Sequence, residues 1–325
     1  MPKLNMVQAI NLALHQEMER DSSVIQLGQD IGLNGGVFRV TEGLQKKFGE
    51  ERVIDSPLAE SAIAGASIGM ALAGLRPVAE MQFSGFSYYA LQQMESYAAR
   101  WRSRSQGEFT VPMVLRMPYG GGVHALEHHS ESREATYAHF PGLKVVLPSG
   151  PRNARALLAA AIQDNDPVVF MEPKRSYRAF REEVPEEPET MEIGKAQIVQ
   201  EGRDITLIAW GAMMREALAA TKTLKERGKS VELIDLLSVS PLDSDTISDS
   251  VRKTGRCVIV QEAPRTLGVS SEIIARINDA ALLYLEAPVG RVTGYDVVTP
   301  NFAREKYYLP NAGQVVDQVE STLAF

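Results

Sequence analysis

Two short stretches hold the side chains best suited to chemistry. The first is Asp55-Ser56-Pro57-Leu58-Ala59-Glu60. Its carboxylate Glu60 opens a helix and is a candidate for acid–base work. The plainer reading is a first-turn carboxylate that the helix dipole favours by about 0.3–1 kcal/mol. The second stretch is Gly120-Gly121-Gly122-Val123-His124-Ala125-Leu126-Glu127-His128-His129-Ser130. It offers imidazoles, or it is a flexible surface turn with solvated histidines. In an extended chain His128 and His129 point to opposite sides, so at most one of them serves a given pocket. Cys257 is the single cysteine. It stands in Arg256-Cys257-Val258-Ile259-Val260, which reads as a buried strand, so a small apolar core residue is expected there rather than a reactive thiol.

Several signatures are missing. No G-x-G-x-x-G links a strand to a helix, no phosphate loop occurs, and no Cys/His group has zinc spacing. No G-x-S-x-G elbow is present. With a net charge of −7 and scattered cations, nucleic acid is not the expected partner. Hydrophobic residues at 44% and charged residues at 23% fit an ordinary globular chain, and 325 residues suggest about two domains. No apolar run approaches the ~20 residues that span a bilayer. The N-terminus lacks a signal or transit pattern, and lone-cysteine usage suits a reducing compartment. The expectation is a soluble, cytoplasmic protein with no membrane partner.

The elements that must position these residues alternate. Val7, Ile10, Leu14 and Met18 mark a helix over 6–20 with Asn5 as its cap. Further helices are expected at 41–48, 57–74, 86–104 and 151–164, and strands at 24–27, 52–54, 77–82, 111–117, 143–147 and 167–171. The 57–74 helix is crowded with Ala, Gly and Ser, which implies close approach of another backbone, within the domain or across a subunit interface. Residues 182–192, rich in Glu and Pro, read as a linker that packs no core, with a domain boundary near 190. The second half predicts strands at 204–210, 230–235, 256–261 and 289–293, and helices at 212–227, 243–254 and 268–280. Val315, Val319 and Leu323 give a closing amphipathic helix. The fold class is α/β with a mainly parallel sheet.

Taken together, the segments resemble the beta subunits of the pyruvate and branched-chain 2-oxo acid dehydrogenases. The landmarks are Asn34-Gly35-Gly36-Val37-Phe38, Asp55 to Glu60, Gly74-Leu75-Arg76-Pro77-Val78, His129-Ser130, Pro141-Gly142-Leu143-Lys144-Val145-Val146 and Asp164-Asn165-Asp166-Pro167-Val168. Arg291-Val292-Thr293-Gly294 and Tyr308-Leu309-Pro310 continue the series. The resemblance covers essentially the whole chain in order.

It implies a transketolase-like fold, with a pyrimidine-binding domain over 1–190 and a C-terminal domain over 191–325. It implies thiamine diphosphate as cofactor. Glu60 would hydrogen-bond the aminopyrimidine ring nitrogen, a role that suits a partly buried Glu with a raised pKa. Phe86 would stack on the pyrimidine, and Gln82 and Leu58 would line the same pocket. His129 would orient substrate and assist transfer to the lipoyl group. Met113, Ala161, Ile162, Asp164 and Asp166 fall where the family holds a structural potassium ion; Asp166 stands where some members have Asn. The family grips the diphosphate through Mg²⁺ and a Gly-Asp-Gly motif, which this chain lacks. That end, with its Mg²⁺, is expected from an alpha subunit in an alpha2beta2 heterotetramer.

The resemblance also implies docking of the acyltransferase's lipoyl domain and of its basic subunit-binding domain. The latter is expected at the C-terminal domain, where the terminal carboxylate of Phe325 would meet Arg or Lys. Glu172-Pro173-Lys174-Arg175-Ser176-Tyr177-Arg178 and Glu262-Ala263-Pro264-Arg265 lean the substrate toward branched-chain 2-oxo acids, with pyruvate as the alternative. The other readings are half of a different split thiamine enzyme and a scaffold subunit without catalysis.

Overall fold

Residues 1–325 are described by a computed structural model. The chain starts with β1 (Lys3–Leu4) and α1 (Met6–Arg20), which Asn5 caps through a reciprocal bond with Gln8. Then come β2 (Val24–Gly28), α2 (Leu44–Phe48), β3 (Val53–Asp55), α3 (Glu60–Leu72) and β4 (Arg76–Glu80). A 3-10 turn, Ser84–Phe86, leads to α4 (Tyr88–Ser96) and α5 (Trp101–Arg104). β5 (Val114–Tyr119), α6 (Glu134–Ala138), β6 (Lys144–Val146), α7 (Pro151–Gln163), β7 (Val168–Pro173) and β8 (Glu182–Glu183) complete the first half.

The second half contains β9 (Gln197–Gln200), β10 (Ile205–Ala209), α8 (Met213–Glu226), β11 (Val231–Asp235) and β12 (Ser238–Ser240). It continues with α9 (Ser244–Thr254), β13 (Cys257–Pro264), α10 (Val269–Ala281), β14 (Gly290–Gly294), α11 (Glu305–Tyr308) and α12 (Ala312–Leu323).

The strands form two main sheets. The first runs β12-β6-β7-β5-β4-β2-β3 and is parallel except for β12, an edge strand contributed by the second half. The second runs β14-β13-β10-β11-β9, parallel except for β9. Strands such as Val168–Pro173 and Ile205–Ala209 are buried throughout, as mainly apolar strands of a parallel sheet should be, with the polar Glu172 and Thr206 hydrogen-bonded inside. One apolar cluster includes Leu115 and Met117 of the first sheet and Ile208 and Ile234 of the second, so the two halves share a core. Cys257 lies in that core and burial pushes its thiol up, in keeping with a packing role. No helix is long and apolar enough to cross a membrane.

Several expectations need correction. The helix expected over 86–104 is broken: Tyr97 leaves helical backbone at φ −122°, ψ −66°, and two 3-10 turns flank α4 and α5. Neither Gly nor Pro marks the break. The helix expected at 41–48 begins only at Leu44, because Gly43 sits in the left-handed region at φ 81°. The 57–74 helix starts only at Glu60, after a bend at Leu58, and ends at Leu72. β9 and β12 are short strands that the sequence pattern does not announce. The Glu- and Pro-rich 182–192 stretch is packed: β8 pairs with β1 and Val184 is buried. Arg155 and Gln16 donate to the Glu186 carbonyl, and Arg155 also donates to that of Glu187. On α3, Ile63, Ala64, Ser67 and Ile68 are buried, while Ala62, Ala66 and Gly69 remain exposed along the opposite face.

Candidate active site

In an open parallel sheet the loops that follow the strands all gather at one edge, where ligands bind. Here four such loops meet, after β2, β3, β4 and β5. Asp55, at the end of β3, accepts the amides of Gly32 at 2.7 Å and Leu33 at 3.4 Å, which ties the loop after β2 to the start of α3. Glu60 then occupies the first helical position, half-buried, within electrostatic reach of the Tyr88 phenol. No donor of the chain binds its carboxylate. Leu58, two residues earlier, is 70% exposed.

The loop after β4 carries Gln82 and Phe86. Gln82 donates to Asp30 at 3.1 Å, so its side chain braces the loop after β2. Phe86 ends the 3-10 turn. At Gly85 a Cβ would collide with the His128 carbonyl, which shows how closely the loop after β5 is laid on this turn. Ser84 Oγ fastens the same loop by donating to the Glu131 carbonyl at 2.7 Å.

The histidine segment 127–129 is itself a 3-10 turn rather than extended chain. Both rings therefore face Phe86, contrary to the expectation that they diverge: His129 at 5.2 Å and 86°, His128 at 6.0 Å and 33°. Their surroundings still differ. His129 is half-buried against Phe83 at 4.4 Å, and its Nδ1 is shielded without a partner. Burial, then the Lys174 ammonium, lowers its pKa, so the ring is neutral at physiological pH. His128 is half-exposed, lies against Tyr88, and has Nδ1 3.9 Å from Glu131.

Three neighbours are not singled out for a site role in the sequence. Tyr88, in α4, lies near His128, with Glu60 within electrostatic reach. Glu262 and Glu305, from the second half, accept the amides of Gly121 and Gly122, so the glycine-rich stretch is held rather than free. Five clefts of 290–740 Å³ lie elsewhere, and none is lined by Glu60, Phe86 or His129.

An unpartnered half-buried carboxylate, an apolar Leu58, a Phe86 ring and a shielded imidazole nitrogen fit a flat heteroaromatic ring with a protonatable nitrogen. No group of three or more His, Cys, Asp or Glu side chains is arranged to hold a metal ion.

Several oxygens of the potassium set already have partners within the chain. Arg76 Nη1 already donates to the Ile162 and Asp164 carbonyls, at 3.0 and 2.9 Å. The Asp164 carboxylate holds Lys144 at 2.5 Å, and Asp166 holds Arg102 at 2.6 Å. The Met113 carbonyl accepts the Val168 amide, and Ala161 lies in the last turns of α7. Arg76 thus lies on two of the five carbonyls, and Lys144 and Arg102 on the two carboxylates.

Residues 2–179 match the transketolase pyrimidine-binding domain and residues 194–315 the transketolase C-terminal domain. A "Pyruvate dehydrogenase E1 component subunit beta" of Staphylococcus epidermidis is 51% identical over 325 residues, covering all of both chains. One of Acholeplasma laidlawii is 51% identical over 96% of this chain and 95% of its own, and one of Staphylococcus aureus 50% over the full length of both. Among solved structures, a "Split gene transketolase, inactive beta4 tetramer" superposes with a TM-score of 0.81 over 99% of each chain at 22% identity, a likeness of fold.

These relatives do not support the lean toward branched-chain acids; they bear the alternative name. The structure gives a reason. Glu172 is spent on Arg116 and Tyr177, Arg175 on Glu216, and Arg178 on the Phe38 carbonyl, so that motif serves the fold and does not report the substrate.

Proposed function

We propose, from the premise that this chain belongs to the transketolase-like E1 beta subunits of the 2-oxo acid dehydrogenases, that it is the beta half of a pyruvate-decarboxylating enzyme. The chemistry is thiamine-dependent and requires an alpha subunit. The observation that carries the substrate is identity of 50–51% along the full chain to proteins of that name. Residues 1–190 and 191–325 would be its two domains, assembled as an alpha2beta2 heterotetramer. The exposed Ala62, Ala66 and Gly69 of α3 suit a close helix contact in such an assembly.

When bound, thiamine diphosphate supplies the electron sink that lets the carboxylate of a 2-oxo acid leave as carbon dioxide. This chain's part is to hold the pyrimidine end. Glu60 would share a proton with the ring nitrogen, Phe86 would stack on the ring, and Leu58 and Gln82 would line its pocket, with Gln82 also bracing the loop after β2 through Asp30. The neutral His129 donates or accepts a hydrogen bond at the substrate side and assists acyl transfer to a lipoyl group. The diphosphate and its Mg²⁺ fall to the alpha subunit, since this chain has no Gly-Asp-Gly. Docking of the acyltransferase's subunit-binding domain is assigned to the C-terminal domain.

Co-expression with an alpha chain tests this reading, with decarboxylation followed by an artificial electron acceptor. Pyruvate should be preferred over branched-chain 2-oxo acids by about tenfold or more in kcat/KM, the discrimination that a few methylenes allow. The opposite preference would restore the branched-chain assignment.

A further inference from the structure

We propose that Glu262 and Glu305 are positioning residues for His129, acting from the second half of the chain through the backbone of the loop that carries it. The role in turnover rests on the function just proposed; the anchoring itself does not.

The loop leaves β5 through Gly120, Gly121 and Gly122. Gly120 and Gly122 both have φ +84°, and His124 follows at φ +57°, a conformation a non-glycine residue keeps only where its surroundings impose it. The surroundings here are two carboxylates. Glu262 Oε1 accepts the Gly121 amide at 2.5 Å and the Ser132 hydroxyl at 3.4 Å. Glu305 Oε1 accepts the Gly122 amide at 2.6 Å, and its Oε2 accepts that of His124 at 3.0 Å. Three converging amides form a concave nest of the kind that binds anions, filled by the protein's own carboxylates. The glycines follow from the fit: a Cβ on Gly121 would lie 2.7 Å from Glu305 Oε1.

Both anchors are costly to bury. Glu262 is 4% exposed and Glu305 2%, so their charges must be met inside the protein. The amides meet part of it. Lys174, 4% exposed and with no hydrogen-bond partner for its ammonium, answers both carboxylates electrostatically.

The far end of the same loop is pinned separately. The His128 backbone lies on Gly85, and the Glu131 carbonyl accepts both Ser84 Oγ and the Gly120 amide. The loop is therefore stretched between a 3-10 turn of one half and two carboxylates of the other. The His129 ring sits between these pins, against Phe83 and Phe86. Loosening one pin lets the imidazole wander from its place while the strands beneath remain. Glu305 uses both oxygens on amides, so Glu305→Gln turns one acceptor toward a donor. Glu262 Oε2 has no partner, so Glu262→Gln keeps the useful oxygen and should be mild.

The test uses the assembled enzyme carrying Glu305→Gln or Glu262→Gln. Amide hydrogen exchange of the 120–124 peptide, read by mass spectrometry, should quicken by about tenfold or more in Glu305→Gln, the loss expected for charge-assisted bonds, and clearly less in Glu262→Gln. Exchange in the Ile205–Ala209 strand should not change. The ratio of acyl transfer to a lipoyl domain over dye-linked decarboxylation should fall by about tenfold in Glu305→Gln, in the range of acid–base assistance. Unchanged exchange at 120–124 overturns the anchoring. Faster exchange with an unchanged ratio, or an equal loss of both rates with a lowered melting temperature, overturns the positioning role. If the wild-type assembly decarboxylates no 2-oxo acid, the functional reading fails, while the exchange data still decide the anchoring.

Discussion

At the scale of single residues, the account turns on Glu60 and His129. Glu60→Gln keeps the shape of a half-buried side chain but cannot exchange a proton. Turnover should fall by about 10²–10⁴-fold with assembly intact; a variant keeping more than about a tenth of the wild-type rate refutes the assigned role. His129→Ala should damage acyl transfer more than decarboxylation, and His128→Ala should matter less, because only His129 is enclosed by Phe83 and Phe86 with a shielded Nδ1. A dead His128→Ala beside a normal His129→Ala would exchange their roles.

The potassium set gives a third expectation at this scale. Arg76, Lys144 and Arg102 hold the oxygens of Ile162, Asp164 and Asp166. Replacing K⁺ by Na⁺ at constant ionic strength should leave the melting temperature unchanged; a selective gain in K⁺ would show that the side chains yield to the ion.

At the scale of elements, buried polar contacts join the two halves, and some of them titrate. Trp210 Nε1 donates to Glu134 of α6 at 3.4 Å, and Ser149 donates to Asp235 at the end of β11. Burial pushes Glu134 up to about 7 from 4.5, and Asp235 up to about 7 from 3.8. A raised carboxyl pKa means that the folded state binds more protons. The stability tied to these groups is complete below their unfolded values and lost as pH rises through about 7. Lys174, lowered to about 8 from 10.5 chiefly by burial, acts in a higher window: its contribution is present above the unfolded value and lost as pH falls through about 8. Between pH 5.5 and 8 the carboxyls dominate. Glu134→Gln and Asp235→Asn should each flatten the fall in melting temperature over that window, by an effect of at most about 3 kcal/mol. Unaltered pH profiles in both variants would remove these groups from the linkage.

Much of this level was legible in sequence, for physical reasons. Apolar spacing marks α1, and mainly apolar runs mark β7 and β10, because both patterns are dictated by what each element buries. The break at Tyr97 was not legible, since no Gly or Pro stands there to mark it. Nor were the anchors of the His loop. Gly121 and Glu262 are 141 residues apart, Gly122 and Glu305 183 apart, and no local pattern records such a contact. Glu60 and His129 were legible only together, as part of an ordered series of landmarks; each alone reads as ordinary surface chemistry.

At the scale of the whole molecule, the proposed function makes this chain one half of a cofactor site, with Glu60 and the exposed Leu58 facing a second chain that would hold the diphosphate. The most direct measurement is calorimetric titration of thiamine diphosphate with Mg²⁺ into the purified chain, and into the same chain mixed with its alpha subunit. The account predicts no binding in the micromolar range by the chain alone, and micromolar binding with 2-oxo acid decarboxylation once the two chains are mixed. Micromolar Mg²⁺-dependent binding by the single chain would contradict it.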